Sequence, residues 1–102
     1  MPAIDNIIHQ PVRLRIMASL VALDAKEQVD FTYLRDLLNV TDGNLGAHLQ
    51  KLEEAGYIAA DKTFVARKPR TLVTATAKGR AAFHDHVTAL EEIIRGGAGR
   101  DA

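Results

Sequence analysis

The spacing of apolar positions divides the chain into a series of helices with one β-rich interruption. Ile4, Ile7, Ile8, Leu14, Met17, Leu20 and Val21 recur at helical spacing and predict a first helix from Asp5 to Leu23. More of its circumference is apolar than one core face needs, so a second surface must cover it. That surface is the last helix of the same chain, another copy, or both. Pro11 kinks this helix or marks its true start, leaving the residues before it as a separate arm. Ala25 to Gln28 is a polar connection, and Val29-Asp30-Phe31 reads as a very short strand. Leu34, Leu37 and Leu38 give the buried side of a second helix, from about Thr32 to Leu38, with Arg35 and Asp36 outward. Asn39 tolerates the left-handed conformation that ends a helix, and Val40 plugs the corner that follows.

The third helix, from Thr41 to Gly56, organises the rest. Leu45, Leu49 and Leu52 fall on one stripe, Thr41 suits the N-cap, and Asp42 complements the positive end of the helix dipole. The opposite face carries Gly43, Asn44, Ala47, His48 and Lys51. Small residues there allow close approach to a partner, and Asn, His and Lys can bond to base edges or phosphates. The alternative for this helix alone is an ordinary solvated face. A short helix, a tight turn with an apolar plug and a second amphipathic helix form a helix-turn-helix, a motif that also occurs in proteins that never touch DNA.

Tyr57 to Val65 and Arg70 to Ala75 read as strands, with Ala66-Arg67-Lys68-Pro69 between them and Pro69 preventing regular pairing at the tip. Thr76 then caps a last helix, roughly Ala77 to Arg95. Its apolar stripe is Phe83, Val87, Leu90 and Ile94, widened by Ala82, Ala89 and Ile93. Residues 96–102 are rich in glycine and are expected to be a flexible tail, which leaves residues 1–95 as one domain.

Charge sharpens the picture through its distribution. Lys+Arg and Asp+Glu balance at 13 each over 102 residues, yet Lys62 to Arg80 holds six basic residues (Lys62, Arg67, Lys68, Arg70, Lys78, Arg80) and no acid. One side of the molecule should be positive. A basic hairpin directly after a helix-turn-helix has the form of a wing, with Lys62, Arg67, Lys68 and Arg70 placed for the DNA backbone or minor groove. Lys78 and Arg80 lie in the first turn of the last helix, against its dipole, which nearby phosphate would make tolerable.

Other chemistries find little support. The chain has no cysteine, hence no disulfide or thiolate metal site. No apolar run is long enough for a membrane and no signal-peptide pattern is present, so a cytoplasmic protein is expected. His84-Asp85-His86, with Glu91 and Glu92 nearby, is a poor metal site because residues two apart on a helix point to nearly opposite sides. Ser19, the sole serine, lies on a helical surface, and there is no Gly-rich phosphate loop. No catalytic residue, metal or cofactor is expected.

The residues His9-Gln-Pro-Val-Arg-Leu-Arg-Ile-Met17, Leu45-Gly-Ala-His-Leu-Gln-Lys-Leu-Glu-Glu-Ala-Gly-Tyr-Ile58 and Thr76-Ala-Lys-Gly-Arg80 resemble winged-helix transcriptional regulators of the MarR and ArsR kind, above all their short single-domain relatives. The resemblance covers about residues 5 to 95. It implies a mainly α fold with a small β-hairpin: a three-helix core, a two-stranded wing and a C-terminal dimerisation helix. It further implies a homodimeric repressor or activator on double-stranded DNA, with the third helix in the major groove. Thr41, Gly43, Asn44, Ala47, His48, Lys51, Lys62, Arg67, Lys68 and Arg70 would face DNA. Ile4, Ile7, Ile8, Phe83, Val87, Leu90 and Ile94 would form the dimer interface. The chain lacks the extra terminal helices of longer MarR-type proteins and the cysteines of metal-sensing ArsR proteins. With those helices goes much of the usual ligand cavity; a crevice between packed helices at the dimer seam is a common place for a small-molecule effector, but nothing in the sequence identifies one or requires it. The competing reading is a protein-interaction module without DNA binding, for which a run of cations without acids has no use.

Overall fold

The computed structural model describes residues 3–99, with side chains to residue 96. Its elements in chain order are α1 (Pro11–Val21), β1 (Val29–Asp30), α2 (Phe31–Leu38), α3 (Asp42–Glu54), β2 (Ile58–Val65), β3 (Lys68–Ala75) and α4 (Ala77–Gly99). Pro11 is the start of α1: it occupies the first turn, where its missing N–H costs nothing, and Gln10 caps the helix by accepting from the Arg13 N–H. The residues before it form a separate arm rather than a helix continuous from Asp5.

Local signals set most of the remaining boundaries. Asp30 accepts from the Thr32 N–H and caps α2, while Asn39 ends it at φ 55° in the left-handed region. The Thr41 side chain accepts from the Asn44 N–H and caps α3. Gly56, at φ +80°, turns the chain out of α3 into the sheet. Thr76 caps α4 by accepting from the Gly79 N–H at 3.0 Å.

The three strands form one antiparallel sheet in the order β1-β3-β2. β1 is the very short strand expected at Val29, paired through Val29↔Val73 and Asp30↔Leu72. The hairpin is longer and its turn tighter than the sequence suggests. Val65 pairs with Lys68 and Phe64 with Pro69, so the turn is Ala66-Arg67 alone. Both residues have positive φ, 50° and 67°, the requirement of a type I′ turn. Pro69 therefore sits inside β3. Hydrogen-bonded and non-bonded pairs alternate in an antiparallel ladder, and beside a two-residue turn the second pair is of the non-bonded kind. The N–H that Pro69 lacks would have pointed away from β2.

The core gathers Ile8, Ile16, Met17, Leu20, Leu34, Leu38, Leu45, Leu49, Leu52, Ile58, Val73 and Ala75. Leu37 departs from its expected place. It is half exposed, because α2 is short and Leu34 and Leu38 already fill the side that meets the core. α4 runs on to Gly99, beyond the Arg95 expected to end it, since a formed helix extends at one hydrogen bond per residue even through weak helix formers. The rest of the anticipated tail, 100–102, lies outside the described residues.

Candidate nucleic-acid interface

α3 turns its leucine stripe inward and leaves the other face to solvent. Leu45, Leu49 and Leu52 are buried, whereas Thr41, Gly43, Asn44, Ala47 and Lys51 are not. Asn44, His48 and Lys51 follow one another at i, i+4 and i+7, so they share a stripe on the outer side. The turn ahead of α3 is held by Arg35, which bonds Asp36 at 3.0 Å and Asp42 at 2.9 Å. These bonds bridge α2 to the start of α3, though such exposed pairs stabilise only modestly.

His48 differs from its neighbours on the stripe. Its Nδ1 lies 3.2 Å from the Arg13 Nη1 on α1. Burial, and then the Arg13 charge, lower its pKa below the usual histidine value.

The hairpin extends the same exposed region. Lys62, Arg67, Lys68 and Arg70 are all exposed, as is Phe64. Arg70 is partly engaged: it bonds Asp30 at 2.7 Å, an ion pair that joins the hairpin to the N-cap of α2. That bond, with the Thr32 hydroxyl and N–H, holds the Asp30 carboxyl below the usual aspartate value. Lys51, Lys62, Arg67 and Lys68 make no ion pair among the described residues.

The two cations at the start of α4 are placed differently. Arg80 points into the molecule and donates to the Leu20, Val21 and Leu23 carbonyls at 3.4, 3.2 and 2.9 Å, capping the C-terminal end of α1. Lys78 lies over the Tyr57 ring, 5.7 Å from its centroid. Their unfavourable position on the helix thus has an explanation inside the fold, and phosphate is not needed to account for it. Gly79 belongs to the same junction, since a Cβ there would collide with the Tyr57 carbonyl. The run Thr76-Ala-Lys-Gly-Arg80 therefore caps α4, admits the Tyr57 backbone and closes α1.

Known proteins share this geometry. Residues 12–94 match the family model described as a winged helix DNA-binding domain. The chain belongs to that family. It is 41% identical over 90 residues to an uncharacterized protein of Methanocaldococcus jannaschii, covering 88% of this chain and 95% of that one. A transcriptional regulator homologue from Pyrococcus horikoshii has the same winged helix fold, with a TM-score of 0.81 and 32% identity over 90% of this chain and 88% of that one. A haem sensor from Streptococcus agalactiae, solved with haem, shares the fold alone at 12% identity and TM-score 0.71, covering 94% of this chain and 66% of that one. The mainly helical class with a small β wing stands, with β1 adding a third strand at the wing's base.

The winged helix carries one feature that residue spacing does not show: the arm is stitched to the α3–β2 junction and to α4. Asp5 Oδ1 accepts from the Ile7 and Ile8 N–H groups at 2.8 and 3.2 Å, and its Oδ2 accepts from the Tyr57 hydroxyl at 2.5 Å. That hydrogen bond pushes the Tyr57 pKa up to about 12. The Asp5 N–H donates to Nδ1 of the fully buried His86 at 3.1 Å, and His86 Nε2 faces His9 Nδ1 at 3.4 Å. With its Nδ1 accepting, neutral His86 carries its proton on Nε2 and donates to His9. Burial and then the neighbouring His9 lower the His86 pKa. His86 is thus a core residue, while His84 and Asp85 are not buried. The signal for the arm is the Asp5-Asn-Ile-Ile8 run, a side-chain-capped turn ahead of a helix.

This stitching corrects part of the expected dimer surface. Ile8 is fully buried in its own core and is unavailable to a partner. Ile7 and Phe83 are partly covered by that core, and Ile4 and Val87 are likewise largely but not fully buried. The exposed apolar surface of α4 lies at Ile93 and Ile94, 58% and 70% exposed. No helix of the described residues is long and apolar enough to cross a membrane.

Proposed function

We propose that this protein is a transcriptional regulator that binds specific double-stranded DNA as a homodimer. In this reading α3 enters the major groove with Asn44, His48 and Lys51 towards base edges and phosphates, and Gly43 and Ala47 allow the close approach. The wing lays Lys62, Arg67, Lys68 and part of Arg70 along the flanking backbone or minor groove. The observation that carries the proposal is a small, polar helix face beside exposed cations that have no ion-pair partner among the described residues. A wing that met only protein would gain nothing from leaving those charges unpaired.

The test is fluorescence anisotropy of a labelled duplex over a series of salt concentrations. Affinity should fall linearly on log–log axes as counterions are released. Absence of binding at low salt contradicts the proposal and favours the protein-interaction reading.

The dimer rests on the apolar end of α4. Ile94, with Leu90, Val87 and Ile4, would meet the same residues of a second copy about a two-fold axis. The two copies of α3 would then address half-sites about 34 Å apart. Ile94→Glu should give monomers in sedimentation velocity, with far-UV circular dichroism unchanged; a surviving dimer would move the seam elsewhere. A small-molecule effector would enter at that seam, since crevices between packed helices commonly hold ligands, and the haem sensor that shares this fold was solved with a molecule of that class.

A further inference from the structure

Arg13 has three contacts that together immobilise it. Its backbone N–H donates to Gln10 Oε1 at 2.9 Å, its Nε donates to the Ile7 carbonyl at 2.5 Å, and its Nη1 faces His48 Nδ1 at 3.2 Å. A guanidinium has only N–H donors and does not lose its proton in proteins. His48 Nδ1 must therefore accept, and the single proton of the neutral ring must sit on Nε2. A second ring proton would bring two N–H groups face to face beside a fixed positive charge.

We propose that Arg13 is a positioning residue for DNA contact: it fixes His48 as the neutral Nε2–H tautomer, so that α3 offers DNA one uncharged donor between Asn44 and Lys51. The ligand chemistry is a hydrogen-bond acceptor, supplied either by a base edge in the major groove or by a phosphate oxygen. This rests on the DNA-binding reading above and adds a residue to it from outside α3. The surroundings of the ring agree. Burial and Arg13 on α1 are the two influences resolved on it, and both oppose protonation. On its own helix Lys51, one turn on, is a further cation. Arg13 also holds the arm through Ile7, so the orientation of His48 depends on the arm's seating across the domain.

The direct test needs no substitution. Long-range proton–nitrogen correlation spectra of the full-length protein with labelled histidine should show His48 with a protonated Nε2 and an acceptor Nδ1 at pH 7. The opposite tautomer, or a cationic ring, would overturn the proposal.

The functional test measures DNA affinity and salt slope from pH 5.5 to 8. In the wild type His48 should gain its proton only at a pH below the ordinary histidine value of about 6.5. In Arg13→Met, with one of the two influences against protonation removed and burial remaining, the ring should gain its proton at a higher pH than in the wild type, raising the salt slope by up to about one unit as pH falls. In the double variant Arg13→Met/His48→Gln, which keeps a neutral donor near the Nε2 position, that rise should vanish. Identical pH profiles for the single and double variants would contradict the proposal. His48→Ala should lose affinity several-fold at unchanged salt slope. A loss that differs among DNA sequences assigns a base edge, a uniform loss assigns phosphate, and no loss rejects the contact. If the wild type binds no DNA at low salt, the regulator reading fails while the tautomer is still decided by the spectra.

Discussion

Two groups of cations stand close together in the chain, and the fold uses them in opposite ways. Lys62, Arg67 and Lys68 lie on the wing with their charges in solvent, whereas Arg80, at the start of α4, is taken up by the fold, and Lys78 beside it is exposed but lies over the Tyr57 ring. Arg80 closes the last carbonyls of α1, and Lys78 sits on the Tyr57 ring. The sequence shows one uninterrupted basic stretch. The difference between its halves is set by what surrounds each residue: carbonyls at a helix end are partners for a guanidinium, and a projecting hairpin offers none. A charge count alone would assign all six residues to DNA and would overstate the phosphate contacts.

The comparison breaks most visibly at Arg80. Arg80→Ala leaves the C-terminal carbonyls of α1 without their charged donor and should cost about 2 kcal/mol in urea denaturation, the scale of hydrogen bonds to a charged group. Its salt slope for DNA should match the wild type at temperatures where both are folded. A large fall in slope with unaltered stability would place Arg80 on DNA after all.

Lys68→Ala should behave in the reverse sense. Stability should stay within about 0.5 kcal/mol, as for most surface changes. The salt slope should fall by about one unit, with affinity lowered for all sequences alike. An unchanged slope would remove Lys68 from the backbone contacts.

Arg70 lies between the two groups and should show the smallest effect. Its ion pair with Asp30 is partly exposed, so Arg70→Ala should cost less than about 1 kcal/mol at neutral pH. The native Asp30 pKa is lowered, so this stabilisation is complete above the ordinary aspartate value of 3.8 and is lost as pH falls through it towards the native value. The difference between Arg70→Ala and wild type should therefore narrow in acid. A gap that persists at pH 2 would mean that Arg70 acts through packing instead. The slope should drop by less than for Lys68→Ala, because one of the Arg70 donors is already engaged.

How far these assignments can be read from the sequence follows the range of the interactions behind them. Asn39, Thr41 and Thr76 act on backbone within a few residues, and their roles as helix stop and helix caps are legible. The leucine stripe of α3 determines which face is exposed. Pro69 misleads because its effect depends on hydrogen-bond parity in the ladder, which follows from where the turn falls, and that turn uses two non-glycine residues at positive φ. The periodicity of Ile8 suits a helix and points it towards a partner, but the arm is folded back by Asp5 on Tyr57 and on His86, 81 residues away. The roles of His86, Arg80 and Arg13 are beyond periodicity for the same reason: each is defined by a partner remote in the chain. At the candidate interface, the exposed positions on α3 and the wing are legible, while the fixing of His48 from α1 is not.

The central claim is that the unpaired cations of the wing, and not Arg80 of α4, neutralise phosphates. Its most direct test is the log–log salt dependence of duplex binding by the Lys62→Ala/Arg67→Ala/Lys68→Ala variant. The slope should fall by about 0.9 for each phosphate no longer neutralised, close to three units in all, with the thermal midpoint of the protein without DNA unchanged. A slope equal to the wild type's would contradict the claim.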